Sequence, residues 1–190
     1  SSHKMELHRV VVTGMGALTP VGNTAPETWE NIKNGVSGAA PITHFDAEKF
    51  KTHFACEVKN FKVADFIDRK QARKMDLYEQ YALVAAQEAI KDSGLDLDTV
   101  DKNEIGVILG VGIGGIHTFE EEAGYYALHE AEGPKFNPFF IPKMIADIAA
   151  GQISINYGFR GPNYTTTSAC ASATNALADA FNLLRLGKAN

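Results

Sequence analysis

Asn163-Tyr164-Thr165-Thr166-Thr167-Ser168-Ala169-Cys170-Ala171-Ser172-Ala173 is the stretch from which the rest of the chain is read outward. Asn163 to Ser168 is threonine-rich and β-prone, which predicts a strand. From about Cys170 to Leu186 the pattern is helical, so the strand runs into a helix with a cysteine at the turn. A similar order recurs upstream. Ile105-Gly106-Val107-Ile108-Leu109 predicts a buried strand, ending in Gly110-Val111-Gly112-Ile113-Gly114-Gly115, with an acidic helix expected over 116–131. Arg9-Val10-Val11-Val12-Thr13 is apolar on both faces and predicts a further buried strand, closed by Gly14-Met15-Gly16. Between these runs, Pro26 to Asn34 reads as a short helix, with Thr24 or Ala25 near its cap and Gly35 after it. Residues 36–66 read as irregular, anchored by Phe45, Phe50, Phe54 and Phe61. A helical pattern starts at Asp68 and stops at Ser93-Gly94, and a small-residue helix is expected from Lys143 to about Tyr157. Strands separated by helices define an α/β class with a mainly parallel sheet.

The chain has 190 residues, with 18 Lys+Arg against 23 Asp+Glu, a formal net charge of −5 and 45% hydrophobic residues. That balance supports a packed core and excludes a disordered chain. One domain is expected at this length, or a domain cut short. Three strands make a narrow sheet, and Leu186-Gly187-Lys188-Ala189-Asn190 reads as a helix C-cap leading toward an absent strand, so the chain reads as truncated. Ser1-Ser2-His3-Lys4 ahead of Met5 reads as an expression-tag remnant, leaving 5–190 as the domain. No apolar run approaches the roughly 18 residues of a membrane helix, and the N-terminus has no signal-peptide core. Two cysteines, Cys56 and Cys170, are no disulfide framework, and a cytosolic setting is the expectation. Net acidity argues against a general nucleic-acid binder.

Gly110, Gly112 and Gly115 fit the G-x-G-x-x-G spacing of a dinucleotide site. Such a site also needs an acidic residue closing a strand about 20 residues on. Glu130 and Glu132 have the distance but lie in no strand-like run, and Glu120, Glu121 and Glu122 would repel phosphate. A tight loop with close backbone packing is the plainer reading. Cys170 carries more. A thiol at a helix N-terminus faces unpaired N–H groups and the positive end of the dipole, which favour a thiolate. The strand-to-helix turn presents the sulfur outward, and the Cys170 N–H has the place of an oxyanion donor. A buried structural cysteine is the alternative at this point. Cys56, outside any helix start, reads as structural or incidental. The alanines of the following helix (Ala171, Ala173, Ala176, Ala178, Ala180) suit a central, closely packed helix, or simple helix propensity. A nucleophilic cysteine usually needs a histidine, yet His8, His44, His53, His117 and His129 lie in no catalytic frame. Arg69, Lys70, Arg73 and Lys74 form a basic helix face that flanking Asp68 and Asp76 could neutralise, a plain solvated face unless an acidic partner is known.

Taken together, these segments resemble a β-ketoacyl-acyl carrier protein synthase, the condensing enzyme of bacterial fatty acid elongation. The resemblance covers Arg9 to Asn190 and is carried by Val-Val-Val-Thr-Gly-Met-Gly at 10–16, Pro-Val-Gly at 20–22, and Arg-Lys-Met-Asp at 73–76. Gly-Ile-Gly-Gly at 112–115, Pro-Phe-Phe-Ile-Pro at 138–142, Tyr-Gly-Phe-Arg-Gly-Pro at 157–162 and Ser-Ala-Cys-Ala-Ser at 168–172 complete it. The glycine and proline-flanked aromatic motifs look more like the type II synthase than type I.

The resemblance implies a thiolase-like fold, a layered α-β-α-β-α sandwich built from two similar halves, of which this chain is most of the first. It implies decarboxylative Claisen condensation of an acyl thioester with malonyl-acyl carrier protein, the acyl group being carried on Cys170, whose backbone N–H supplies half the oxyanion hole. Ile113 and Phe140 match acyl-pocket positions. Lys70, Arg73 and Lys74 match a surface that docks acyl carrier protein bearing phosphopantetheine-linked acyl and malonyl groups. No cofactor or metal is called for, and a cytoplasmic bacterial homodimer is implied. The two family histidines that assist decarboxylation belong to the other half, so this chain alone is expected to be inactive. The alternatives are a non-catalytic half-chain or homologue that binds a partner, or a dinucleotide-binding oxidoreductase resting on the glycine cluster.

Overall fold

Pairing of two short strands sets the frame. In the computed structural model, which describes residues 4–190, β3 (Val107–Gly110) and β4 (Asn163–Thr166) lie parallel, with Val107 opposite Asn163 and Gly110 opposite Thr166. Parallel strands need a long crossover. Here it is built from α4 (Ile116–Leu128), α5 (Phe140–Met144) and α6 (Ile148–Tyr157). Both α6 and the last helix, α7 (Ser172–Arg185), pack on the two strands, and the long helix α3 (Leu77–Ser93) stacks on α6. The core follows from that layering: Leu83 and Val84 of α3, Val107 of β3, and Ala150 and Ile153 of α6 are buried together with Ile67, Met75 and Phe159.

The predicted helix Pro26–Asn34 is α1 (Ala25–Lys33), and the Thr24 side chain caps it by accepting from the Glu27 N–H. The single helix expected from Asp68 to Ser93 is divided. Asp68 caps a short α2 (Arg69–Ala72), and Asp76 restarts the chain as α3 through a capping box with Glu79. An acid-x-x-Glu pattern inside a helical run is a start signal, and at Asp76 it breaks the helix. Likewise the run from Lys143 to Tyr157 is split into α5 and α6 where Ile145 turns extended, at ψ 143°. The stretch 36–66 contains a hairpin, β1 (Ala39–Pro41) antiparallel to β2 (Phe54–Cys56), too short to leave an alternation in the sequence. Of the expected tag remnant, residues 1–3 lie outside the described residues.

The predicted strand at 9–13 is not one. It joins no ladder, and Val11 and Val12 are 60% and 80% exposed. An open groove of about 820 Å³, lined by Val10, Val11, Ile108 and Leu109 among others, lies beside β3. What holds the neighbouring chain instead is α3. The Met15 and Ala17 N–H groups donate to Asp92 and Glu88 at 2.9 and 2.8 Å. Gly14 and Gly16 press on the helix backbone so closely that a Cβ would fall 2.2 Å from the Ala89 carbonyl oxygen and 1.9 Å from that of Ala85. The two glycines that read as the end of a strand are thus the seat of the segment on a helix.

Candidate active site

The turn between β4 and α7 is built from side chains as much as from backbone. Ala169–Ala171 forms one 3₁₀ turn, and α7 begins at Ser172, two residues after the start expected from the sequence. Ala169 has φ +49°, a left-handed conformation that a residue with a Cβ rarely adopts. Three hydroxyls fasten the elbow. The Ser172 hydroxyl donates to the Ala169 carbonyl (2.7 Å) and accepts from the Ser168 N–H (2.9 Å). The Thr166 hydroxyl donates to the Ser172 carbonyl (3.0 Å), and that of Thr167 donates to the Val111 carbonyl (2.9 Å).

Cys170 is exposed at the apex, which removes the reading of it as a buried structural thiol. Cys56 is also exposed, but sits in β2 with no helix terminus next to it. The helix α7 is less enclosed than its alanines suggested. Ser172 and Ala176 are buried, while Leu177 and Phe181 are 73% and 44% exposed. Ala173 and Ala178 are exposed as well, so only part of the small-residue set is packed on the sheet.

The glycine cluster lies between the elbow and α5. Gly110 stands at the end of β3, where a Cβ would be 2.2 Å from the Ser172 carbonyl carbon, and Gly112 lies beside the Ala169 carbonyl. Gly115 donates its N–H to the Met144 carbonyl at 2.8 Å. Gly110 and Gly115 are therefore packing positions, a Cβ on Gly115 falling 2.2 Å from the Lys143 carbonyl oxygen, whereas one on Gly112 would meet only ordinary contact. Glu130 and Glu132 lie in a 3₁₀ turn and close no strand, so the structure gives the dinucleotide reading no acidic partner. Ile113, 72% exposed, projects from this turn. Phe140 opens α5 and stacks on Phe119 and Phe136, with ring centroids 6.4 and 5.5 Å away. The turn bearing Ile113 thus bridges the elbow of Cys170 and the helix of Phe140.

Arg69, Lys70, Arg73 and Lys74 are all exposed, and among the described residues none forms an ion pair. Neutralisation by Asp68 and Asp76 does not occur, because both carboxylates are engaged elsewhere. Asp68 caps α2 by accepting from the Lys70 and Gln71 N–H groups. Asp76 accepts from the Tyr78 N–H and from both the N–H and hydroxyl of Thr118. Lys74 lies over the Phe139 ring, 5.2 Å from its centroid, which joins the basic face to the aromatic segment before α5. Among the described residues no hydrogen bond joins a histidine to Cys170: His44 faces Glu57 (3.6 Å) and His117 faces Glu121 (3.2 Å), for instance. No group of residues that could hold a metal ion occurs among the described residues.

Two features escaped the sequence reading. Ser172 carries no signal in the sequence beyond its place two residues after Cys170. Glu79 is 1% exposed, and burial pushes its carboxyl up to about 8, opposed in part by the Asp76 N–H and Lys143. The spacing Asp76-x-x-Glu79 was the signal for that pair.

This arrangement, a two-strand parallel core with helices on it and a cysteine elbow after β4, is that of the thiolase-like ketosynthases. The backbone superposes on the ishigamide ketosynthase/chain length factor with a TM-score of 0.82 at 27% identity, covering 97% of this chain and 46% of that one. It also superposes on a type II polyketide ketosynthase solved in complex with its acyl-carrier protein, with a TM-score of 0.79 at 25% identity over 94% of this chain and 47% of that one. The family described as Beta-ketoacyl synthase, N-terminal domain, matches residues 7–190, and the chain belongs to that family. It is 47% identical over 182 residues to 3-oxoacyl-[acyl-carrier-protein] synthase 2 of Staphylococcus aureus (strain COL), and 44% identical over 186 residues to the enzyme of that name from Synechocystis sp.. The chain spans about half the length of these relatives, 44% in each case.

Proposed function

We propose that this chain is the N-terminal part of a β-ketoacyl-acyl carrier protein synthase of type II, which extends fatty acyl chains by decarboxylative Claisen condensation. The observation that carries the reading is the exposed Cys170 on a hydroxyl-fastened turn at the head of α7, in a chain 47% identical to a 3-oxoacyl-[acyl-carrier-protein] synthase 2. The Cys170 thiolate attacks the thioester carbonyl of an acyl-carrier protein. The tetrahedral oxyanion accepts from the Cys170 N–H and collapses, expelling the phosphopantetheine thiolate. Malonyl-carrier protein then loses carbon dioxide, and its carbanion attacks the acyl-Cys170 thioester. Cys170 leaves as thiolate, and the β-ketoacyl product is two carbons longer.

Lys70, Arg73 and Lys74 serve as the docking surface for the acidic carrier protein; their exposure and lack of acidic partners support this role. The complete protein works as a homodimer in the bacterial cytoplasm. Among the described residues the outer edge of β4 is unpaired, which supports the dimer, and no helix is long and apolar enough to cross a membrane. Condensation is tested in the complete protein with acyl- and malonyl-carrier protein as substrates. Wild type forms β-ketoacyl product and Cys170→Ala forms none, a loss of at least three orders of magnitude; product from the alanine variant at the wild-type rate would refute the reading.

Ile113 and Phe140 line the acyl pocket in this proposal. Each methylene buried there contributes about 0.8 kcal/mol, so pocket depth sets the preferred chain length. Ile113→Phe in the complete protein overfills the deep end and leaves the elbow untouched. Acyl-enzyme formation should fall at least tenfold for long chains and stay near wild type for short ones. An equal loss at every chain length would make Ile113 a structural residue only.

A further inference from the structure

Ser172 stands two residues after the nucleophile and is 4% exposed. A serine at the head of a helix ordinarily turns its hydroxyl forward onto a free helix N–H. This one turns backward. Its hydroxyl accepts from the Ser168 N–H at 2.9 Å and donates to the Ala169 carbonyl at 2.7 Å, spanning the Ser168–Ala169 pair whose second residue is held at φ +49°. No side chain caps α7 at its N-terminus, so the hydroxyl's partners are both in the elbow. The neighbourhood fixes Ser172 in turn. The Thr166 hydroxyl at the end of β4 holds its carbonyl, and Gly110 leaves the room in β3 that a side chain would occupy. Asn175, one turn along α7, holds the Ser168 hydroxyl at 2.6 Å from outside.

We propose that Ser172 is the positioning residue for Cys170: its hydroxyl staples Ser168 to the Ala169 carbonyl, holds Ala169 in its left-handed conformation, and so aims the Cys170 sulfur and N–H at the thioester carbonyl. The inference rests on Cys170 being the acyl-carrying nucleophile. Without the staple, Ala169 relaxes toward its preferred negative φ and rotates the following peptide, whose N–H is that of Cys170. The step that suffers is acyl transfer, since attack depends on near-ångström placement of the sulfur and the oxyanion donor.

The test compares Ser172→Ala, Ser172→Thr and Ser172→Val in the complete protein, reading acyl-Cys170 formation from acyl-carrier protein by intact mass over time, with a melting curve for each. Threonine and valine share a shape and differ in the hydroxyl. Threonine is expected to acylate within about threefold of wild type. Valine and alanine should be slower by tenfold or more at saturating carrier protein, with an unchanged half-saturation concentration. Equal rates for threonine and valine would overturn the proposal, as would rates that fall only in step with melting temperature. If alanine and valine fail to fold while threonine folds, the hydroxyl is structural and the proposal is wrong. No acyl group on Cys170 in the wild type would instead refute the nucleophile itself.

Discussion

Gly110→Ala is expected to destabilise the fold by roughly 2–4 kcal/mol, the upper range for overpacking where the neighbours cannot yield. The alanine Cβ would meet the Ser172 carbonyl carbon and oxygen at 2.2 Å and the Ala173 nitrogen at 2.4 Å. All three are backbone, and α7 cannot retreat from β3 without breaking the Thr166–Ser172 bond on the neighbouring strand. Urea unfolding of the 190-residue chain measures the effect as a lower midpoint at unchanged slope. Gly124→Ala serves as the contrast, because nothing lies within 4 Å of a Cβ at that helical position. It is expected to stabilise by up to about 1 kcal/mol. If Gly110→Ala is as harmless as Gly124→Ala, the close approach of α7 to β3 is wrong.

The second large effect is a pH dependence. Burial is the first cause of the raised Glu79 value, the nearby Asp76 carboxylate adds to it, and Lys143 and the Asp76 N–H work against it. The shift is from 4.5 to about 8. Between those values the folded chain keeps a proton that the unfolded chain has released. The stabilisation of the protonated form is thus complete below pH 4.5 and is lost as pH rises to about 8. Within that window Glu79 lowers stability with rising pH by up to about 1.4 kcal/mol per unit. Glu79→Gln keeps an oxygen for the Asp76 N–H and abolishes the titration. Relative to wild type, its unfolding free energy should lose roughly one proton's worth of slope between pH 5 and 8, and its advantage should be largest at alkaline pH. Parallel stability–pH curves for the two proteins would show that Glu79 is ionised in the fold.

The parts of the structure legible in the sequence are those where local pattern and tertiary partner agree. Val107–Gly110 and Asn163–Thr166 are β-prone runs bounded by turns, and each finds the other as its neighbour. The same holds for α1, whose Thr24 cap and Pro26 mark its start. Val10-Val11-Val12 has the strongest strand composition of the chain and forms no ladder, since a strand is defined by a partner and composition names none. The glycines beside it, read as punctuation, are contacts with α3. Helix breaks at Asp76 and Ile145 were hidden because apolar periodicity continues across them, although the Asp76–Glu79 box announced the first. For the site, the place of Cys170 at the end of a strand was readable from spacing alone. Its exposure was expected of a strand-to-helix turn, whereas the backward turn of the Ser172 hydroxyl was not legible, because it depends on where α7 meets β3.

The complete protein is incubated with acyl-carrier protein in the absence of malonyl-carrier protein, so that transfer proceeds and condensation does not. Intact mass and peptide mapping then locate the acyl group. One acyl mass increment per subunit is expected, on the peptide containing Cys170 as a thioester that hydroxylamine removes. An acyl group on Cys56 or on any other residue, or an enzyme that forms β-ketoacyl product while never carrying acyl on Cys170, would contradict the assignment of Cys170 as the acyl carrier.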